Sequence, residues 1–497
     1  MKDINFVIVG AGTAGLVAGL ITRVKYPFAS IKIIKSSEIG IIGVGEGSTE
    51  HWDTFMRFTG LNHIDLISKT DATVKIGILF KDWVLGKEYV HSVGDTRMSF
   101  LNTPEIFNNK FLYNKSKFPL SPEFEYVYYK GDVTLTPNLH PSNQYHFDTF
   151  KLNSYLTEVC ISRNIEIVEG TVKDVVVSEN HLVKKIVLED GTEHKATLYY
   201  DCSGFKRVLS SKQGNKWVSY KKYLPLNHSI AFPLEFDTPD KIEPYTTSTA
   251  LKHGWAWKIP TQNRYGNGYV FSDNYTTADK ALDEISKHLN KNIEKVARDI
   301  KFEAGKVEKF WLGNVINLGL SGSFVEPLEA QSIGFTIIQA ANALNYIDLW
   351  GYTPVASEKY NLLMNETYEN IVDYIQLHYL TDRADSEFWN DKPYELTSFN
   401  STFLDTIKHG EINPSLFNND SSHLMFRTLN WYQVAAGINL IDYDSVRSIL
   451  NRNSEFFNAN QSALARDIVD RAKNILVMNH RDFLNLVRYN YKSKNEN

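Results

Sequence analysis

The sequence predicts an α/β chain in which a parallel-sheet domain is interrupted by a sheet-rich layer and followed by a mainly helical region. Three observations predict it. An uncharged apolar run, Ile4 to Val9, runs into a glycine turn. Strand-like runs separated by turn signals recur between residues 165 and 188, and aromatic residues fall at helical spacing from Ala340 onward.

The first run reads as a central strand, and Gly10-Ala-Gly-Thr-Ala-Gly15 converts it into a helix that continues to about Val24. Ile31 to Ile34 returns as a second strand, which completes a βαβ unit of roughly 30 residues and makes the domain Rossmann-like. In the loop Gly10-x-Gly12-x-x-Gly15 the first glycine permits a tight turn, the second admits a pyrophosphate, and the third lets helix pack on strand. Thr13 and Ala14 then open a helix whose N-terminus favours phosphate. The acidic residue that usually follows the second strand to hold a ribose is missing. The chain reads Ile34-Lys35-Ser36-Ser37 there, so Ser36, or a phosphate contact from Lys35, would have to substitute. A second cluster, Gly43-Val44-Gly45-Glu46-Gly47, gives the backbone freedom to line a ligand closely.

Phe147 to Ser162 has helical periodicity, and Ile165–Val168, Val172–Val177 and Leu182–Leu188 read as strands. The tyrosine-rich approach to Asp201-Cys-Ser-Gly204 looks like a further central strand, so the nucleotide domain is discontinuous, 1–210 with 310–345. Residues 211–309 form the inserted layer, with aromatic strands and one amphipathic helix from Asp279 to Ile300. Residues 346–497 form the helical region, which ends in a polar, frayed tail.

At 497 residues and 43% hydrophobic, the chain exceeds one ordinary core. A net charge of −5 and a pI near 6.3 provide no basic field, so nucleic acid is not an expected partner. Cys160 and Cys202 match no metal-ligand spacing and read as reduced thiols of a cytoplasmic protein; no metal is expected. Ile4 to Thr22 is better explained as buried strand and helix than as a signal, and no membrane segment is expected.

Four stretches then carry a resemblance. Ile42-Gly-Val-Gly-Glu-Gly-Ser48 is similar to the IGVGEAT segment of the flavin-dependent halogenases, the tryptophan halogenase family. Gly254-Trp-Ala-Trp-Lys-Ile-Pro260 resembles the family's WxWxIP signature, and Gly319 to Ile333 resembles its second flavin segment with the PLEST core. Tyr368 to Ile375, with Leu377-His-Tyr379 and Phe388-Trp389, matches the helical segment that follows. The four occur in the family's order across about residues 1 to 435.

The resemblance implies a GR2-type, flavin monooxygenase-like domain holding FAD, with Gly319, Ser332 and Ile333 joining the first loop as flavin contacts. It implies FADH2 from a separate reductase by diffusion, dioxygen, halide and a small aromatic substrate. Two tryptophans at i and i+2 on a strand share a face, so Trp255 and Trp257 form one wall. In the family this wall screens the flavin from the substrate chamber. Lys75, flanked by apolar residues in Thr73 to Phe80, occupies the place of the catalytic lysine, and Glu329 that of the catalytic glutamate, with Glu326 as its competitor. The oxidant implied is hypohalous acid, carried to Lys75 either by a hydrogen bond or as a haloamine.

The chain departs from the family after Pro327-Leu-Glu329, where Ala330-Gln331-Ser332 replaces Ser-Thr-Gly. That change reshapes the halide site around Gln331 and Ser332 and leads to an expectation of bromide or iodide used at least as well as chloride. His91, Phe100, Trp431 and Tyr432 are candidates for the substrate chamber. No equivalent of the lid that clasps tryptophan is evident, so phenols, indoles and related arenes are the expected substrates. A flavin hydroxylase and a non-catalytic flavin binder are the competing readings, and a homo-oligomer is an open option.

Overall fold

A computed structural model describes residues 4–41, 46–92, 132–134, 144–236, 238, 241–294, 296–408, 423–441 and 477–495. By their internal contacts they form two units. The first gathers Met1–Asp71, Phe147–Lys221 and Glu303–Glu369; the second gathers Ala72–His146, Lys222–Phe302 and Asn370–Asn497. The partition differs from the sequence-based one at residues 72–146, which cluster with the aromatic layer. The reason is strand pairing, since Gly77–Lys81 lies parallel to Thr246–Leu251, with Ile78 opposite Thr246.

The first unit is built on a six-stranded sheet in the order Trp311–Leu312, Val315–Asn317, Leu198–Asp201, Asn5–Val9, Ser30–Lys35 and Glu166–Glu169. All neighbours are parallel except the outermost pair at Trp311. Both faces of a parallel sheet are covered, which is why Phe6, Val7, Ile8 and Val9 are all buried. Helix Thr13–Lys25 follows the first strand, with Arg23 and Lys25 in its last turn where they oppose the helix dipole. Helix Thr149–Ser162 begins where the Asp148 carboxylate accepts the N–H groups of Phe150 and Lys151 at 3.0 and 3.1 Å. A three-stranded antiparallel sheet, Val172–Val177, Val183–Leu188 and Glu193–His194, buries Val175, Ile186 and Leu188 in one cluster with Val7, Ile34 and Tyr199.

The second unit carries a seven-stranded sheet in the order Arg298–Lys301, His228–Leu234, Tyr265–Phe271, Gly254–Pro260, Thr246–Leu251, Gly77–Lys81 and Glu88–Ser92. Helix Ala278–Leu289 covers it through Ala281 and Ile285, which pack with Ile230, Phe232, Tyr269 and Phe271. This helix is shorter than the expected span to Ile300. Asn290 takes the left-handed conformation that ends it, and Arg298–Lys301 is an edge strand paired to His228–Leu234. The expected helical region is present as Gln331–Trp350, Pro354–Leu377, Glu387–Asp391, Ser398–Lys408, Thr428–Gly437 and His480–Asn495. The short strand Val477–Asn479 pairs with Asp132–Thr134. Among the described residues no helix is long and apolar enough to cross a membrane.

Trp257 lies opposite Gly268 on the neighbouring strand, and a Cβ at Gly268 would stand 2.0 Å from the indole Cη2. The glycine therefore makes the bed for the ring. Gly268→Val should displace Trp257 and destabilise the protein by about 1–3 kcal/mol, read as a lower unfolding midpoint with a shifted tryptophan emission. An unchanged emission and midpoint would show that the ring has another resting place.

Candidate functional site

Three loops of the first unit converge at the C-terminal ends of its central strands, where open α/β sheets place ligands. Gly10 turns with φ +111°, and a Cβ there would lie 2.3 Å from the Cys202 carbonyl oxygen; one on Gly15 would lie 1.9 Å from the Gly10 oxygen. The Gly10 N–H donates to Ile34 O at 3.0 Å and the Cys202 N–H to Val9 O at 2.9 Å, so strand ends and loops are stitched together. The third loop enters at Gly319, whose added Cβ would meet Ala14 at 2.8 Å and whose N–H donates to Gln339 Oε1 at 3.0 Å. The structure thus brings the first glycine loop and the second flavin segment together.

The site fits a dinucleotide on two observations. Among the described residues, Gly12 caps helix Thr13–Lys25 without any side-chain hydrogen bond, and none lies within 4 Å of where its Cβ would be. The first N–H groups of the helix, which have no partner within it, thus face a side of the loop that the described residues leave open. Glu46 is the second observation. Its Oε2 is buried with no hydrogen-bond partner among the described residues, and burial pushes the carboxyl up to about 7. Gly43, Val44 and Gly45, which precede it, lie outside the described residues, as does Phe100.

Lys35 ends its strand in register with Glu169 of the adjacent strand. The Ser37 N–H donates to the Glu169 carboxylate at 2.7 Å, and bonding to Ser37 holds this acid below the usual carboxylate range. An acidic group therefore stands at this end of the sheet, contributed by the neighbouring strand. Asn153 is a further residue not anticipated from sequence; its Nδ2 donates to Ala11 O at 2.7 Å and fixes the glycine loop.

At the other flavin segment, Glu326 and Glu329 are both buried. Ala330 adopts the left-handed conformation, φ +54°, as the residue before helix Gln331–Trp350. The Gln331 side chain, expected beside the halide, is used inside the loop: its Nε2 donates to Glu326 O at 2.8 Å, and its Oε1 accepts the Glu329 N–H at 3.2 Å. Ser332 belongs to the first turn of that helix, its carbonyl accepting Thr336 Oγ1 at 2.9 Å, and Ile333 is buried beside it.

In the second unit Lys75 ends the short strand Thr73–Lys75 and is only 1% exposed. The strand runs antiparallel to the one beginning at Gln144, with Lys75 opposite Gln144 and Thr73 opposite His146. His146 is wedged between Thr73 Oγ1 at 3.0 Å and Thr246 Oγ1 at 2.9 Å. Thr73 Oγ1 donates to Pro260 O at 2.6 Å, which ties the lysine strand to the strand of Trp255 and Trp257. Those two rings are 6.0 Å apart between centroids, on one face as expected.

The substrate-chamber candidates belong to this unit too. His91 bonds Asn430 Nδ2 at 2.9 Å and Tyr374 Oη at 3.2 Å, and Trp431 packs against Phe399 and Phe403 at 4.7 and 5.2 Å. Tyr432 is also fully buried, near Phe403. All three side chains are integral to local packing, His91 from strand Glu88–Ser92 and Trp431 and Tyr432 from helix Thr428–Gly437. Lys75 and the tryptophans lie in one unit; Glu329 and the glycine loops lie in the other.

A family model described as tryptophan halogenase matches residues 5–450. The chain is 26% identical over 481 residues to tryptophan 7-halogenase RebH of Lentzea aerocolonigenes, covering 88% of this chain and 90% of that one. It is 28% identical over 419 residues to 7-chloro-L-tryptophan 6-halogenase KtzR of a Kutzneria species, covering 78% and 81%. Its fold is similar to that of Xcc4156, a flavin-dependent halogenase from Xanthomonas campestris, at a TM-score of 0.84, 24% identity, and coverage of 97% and 98%.

One titration follows from the lysine strand. His480 accepts the Val74 N–H on Nε2 at 3.0 Å, and burial, as the main cause, holds its imidazole down at about 4 against an ordinary 6.5. The folded protein thus refuses a proton that the unfolded chain takes up. This part of the stability is complete above pH 6.5 and is lost as pH falls toward 4; the loss from this residue is about 2 kcal/mol by pH 5. Unfolding midpoints at about pH 7.5 and pH 5 should show the drop, and His480→Gln should flatten part of it. An equal drop in the variant would assign the acid sensitivity elsewhere.

Proposed function

Because the chain belongs to the tryptophan halogenase family, whose members use FADH2, dioxygen and halide to halogenate aromatic substrates, we propose that Lys75 delivers the halogen, and Glu329 takes the displaced proton, on a small electron-rich arene other than free tryptophan. The burial of Lys75 carries this reading. Removing an ammonium from water is costly, so this side chain is held by its surroundings and keeps its amine in a water-poor place, on a strand tied through Thr73 to the strand of Trp255 and Trp257.

The groups that would hold the cofactor are the Gly10 to Gly15 loop with the N–H groups of the helix it opens, Glu46, Gly319, and the Ser332–Ile333 turn. Bound FADH2 supplies, with dioxygen and halide, the two-electron oxidation of halide: FADH2, O2, X⁻ and a proton give FAD, HOX and water. The chain's own residues do the rest. Lys75 holds HOX by a hydrogen bond or takes the halogen on its amine; both routes need the same placement in a water-poor strand. Attack by the arene forms the carbon–halogen bond, and the ring proton leaves for the carboxylate of Glu329, giving ArX and water overall. General-base help of this kind contributes roughly 10² to 10⁴ in rate.

The halide is the finer part of the proposal. With Gln331 tied into its own loop, the donors available to an anion include the Ser332 hydroxyl and backbone N–H groups at the start of helix Gln331–Trp350. A larger, less hydrated halide loses less on entering such a site. Bromide or iodide should therefore serve at least as well as chloride.

Two experiments test the reading. With chemically reduced FAD, dioxygen, bromide and a panel of phenols and indoles, the wild type should give halogenated product by mass spectrometry. Lys75→Ala should abolish it while FAD binding, followed by flavin fluorescence, is retained; regioselective product from the variant would refute the role of Lys75. In a mixture of equal chloride and bromide, brominated product should equal or exceed chlorinated product. A clear excess of chlorinated product would overturn the halide assignment.

A further inference from the structure

The strand carrying Lys75 has only three residues, and its two edges are satisfied differently. One edge faces the strand of Gln144. Along the other, the Ile76 N–H donates directly to Pro244 O at 2.8 Å, but two residues earlier a side chain takes the place of the neighbouring strand. That side chain is His480, at the start of helix His480–Asn495; its Nε2 accepts from Val74 N–H and its Nδ1 donates to Ile242 O at 3.2 Å.

These partners fix the imidazole's state. A peptide N–H can only donate and a peptide carbonyl can only accept, so Nε2 must be bare and Nδ1 must carry the hydrogen. The ring is neutral, and a second proton on Nε2 would put two donors face to face. On the same reasoning the Thr73 hydroxyl, which donates to Pro260 O, accepts from His146 Nδ1, leaving His146 Nε2 to accept from Thr246. Residues 73 and 74 are therefore each pinned by a neutral histidine immediately before Lys75. Each bond is buried, so losing one partner would leave a dry, unmade hydrogen bond behind.

We propose that His480 is a positioning residue for Lys75: its neutral imidazole replaces a strand residue between Val74 and Ile242 and so fixes where the lysine's side chain starts. The proposal rests on Lys75 as the group that delivers the halogen. It differs from a purely structural role in what it predicts. Moving Lys75 spares oxidant formation and spoils oxidant delivery.

The experiment compares His480→Phe, which fills the volume without either nitrogen, with His480→Gln, whose amide can both accept and donate. Each folded variant, with Lys75→Ala alongside, is supplied with chemically reduced FAD, dioxygen, bromide and indole. Free hypobromous acid is trapped by a β-diketone and bromoindole is measured by mass spectrometry. In His480→Phe the ratio of bromoindole to trapped oxidant should fall about tenfold at an unchanged total of oxidant, and His480→Gln should restore it to within about twofold of wild type. Hydrogen exchange at the Val74 amide should be slow in wild type and His480→Gln and fast in His480→Phe. If His480→Phe does not fold, His480→Asn, whose shorter amide cannot reach both partners, carries the same expectation.

A wild-type ratio in His480→Phe, or an equal fall in the Phe and Gln variants, overturns the proposal. Loss of bromoindole in Lys75→Ala together with a wild-type ratio in His480→Phe overturns it while leaving the role of Lys75 standing. An unchanged ratio in Lys75→Ala overturns both.

Discussion

The nucleotide-binding unit depends on one close approach of backbone to backbone, the crossing of Gly15 over the carbonyl of Gly10. At 1.9 Å from that oxygen no side chain of any kind can stand. The approach sets how deeply helix Thr13–Lys25 sits on the sheet, and hence where the N–H groups of its first turn point. The converging loops take their positions from it. Cys202 is pressed against Gly10, and Gly319 is pressed against Ala14, so three segments far apart in sequence share one mouth at the strand ends.

The other unit works under a different constraint, the expense of keeping polar groups dry. Lys75, His146, His480, Gln144, Thr73 and Thr246 are all buried, and each backbone or hydroxyl group among the bonds traced above has a partner of definite donor or acceptor character. Such a network tolerates few alternative arrangements. It holds the strand that ends at Lys75 more firmly than apolar packing could, because rotating one member leaves another unsatisfied.

The parts of this arrangement that could be read from sequence are those encoded locally. Strand, glycine turn, helix and second strand follow one another within residues 5–35, and their periods and turn residues identify them. The helix begun at Ala278 was overextended because the periodicity of its apolar residues says nothing about Asn290 turning left-handed. Glu169 was missed because parallel pairing placed it beside Lys35 from 134 positions away, and no spacing rule bridges such a distance. The family motifs located Lys75, Glu329 and the tryptophan wall, but the burial of Lys75 was not legible. It depends on partners at 144–146, 242–246 and 480, which only the tertiary structure assembles.

The bond from Val74 to His480 joins residues 406 apart in the chain. A chain made from its N-terminus has its cofactor loop, its lysine strand and its tryptophan strand long before residue 480 exists. The Val74 N–H on that strand therefore waits for its acceptor through almost the whole of synthesis. Order of manufacture thus shapes this region: the strand that ends at Lys75 has its hydrogen bonding completed among the last parts of the chain.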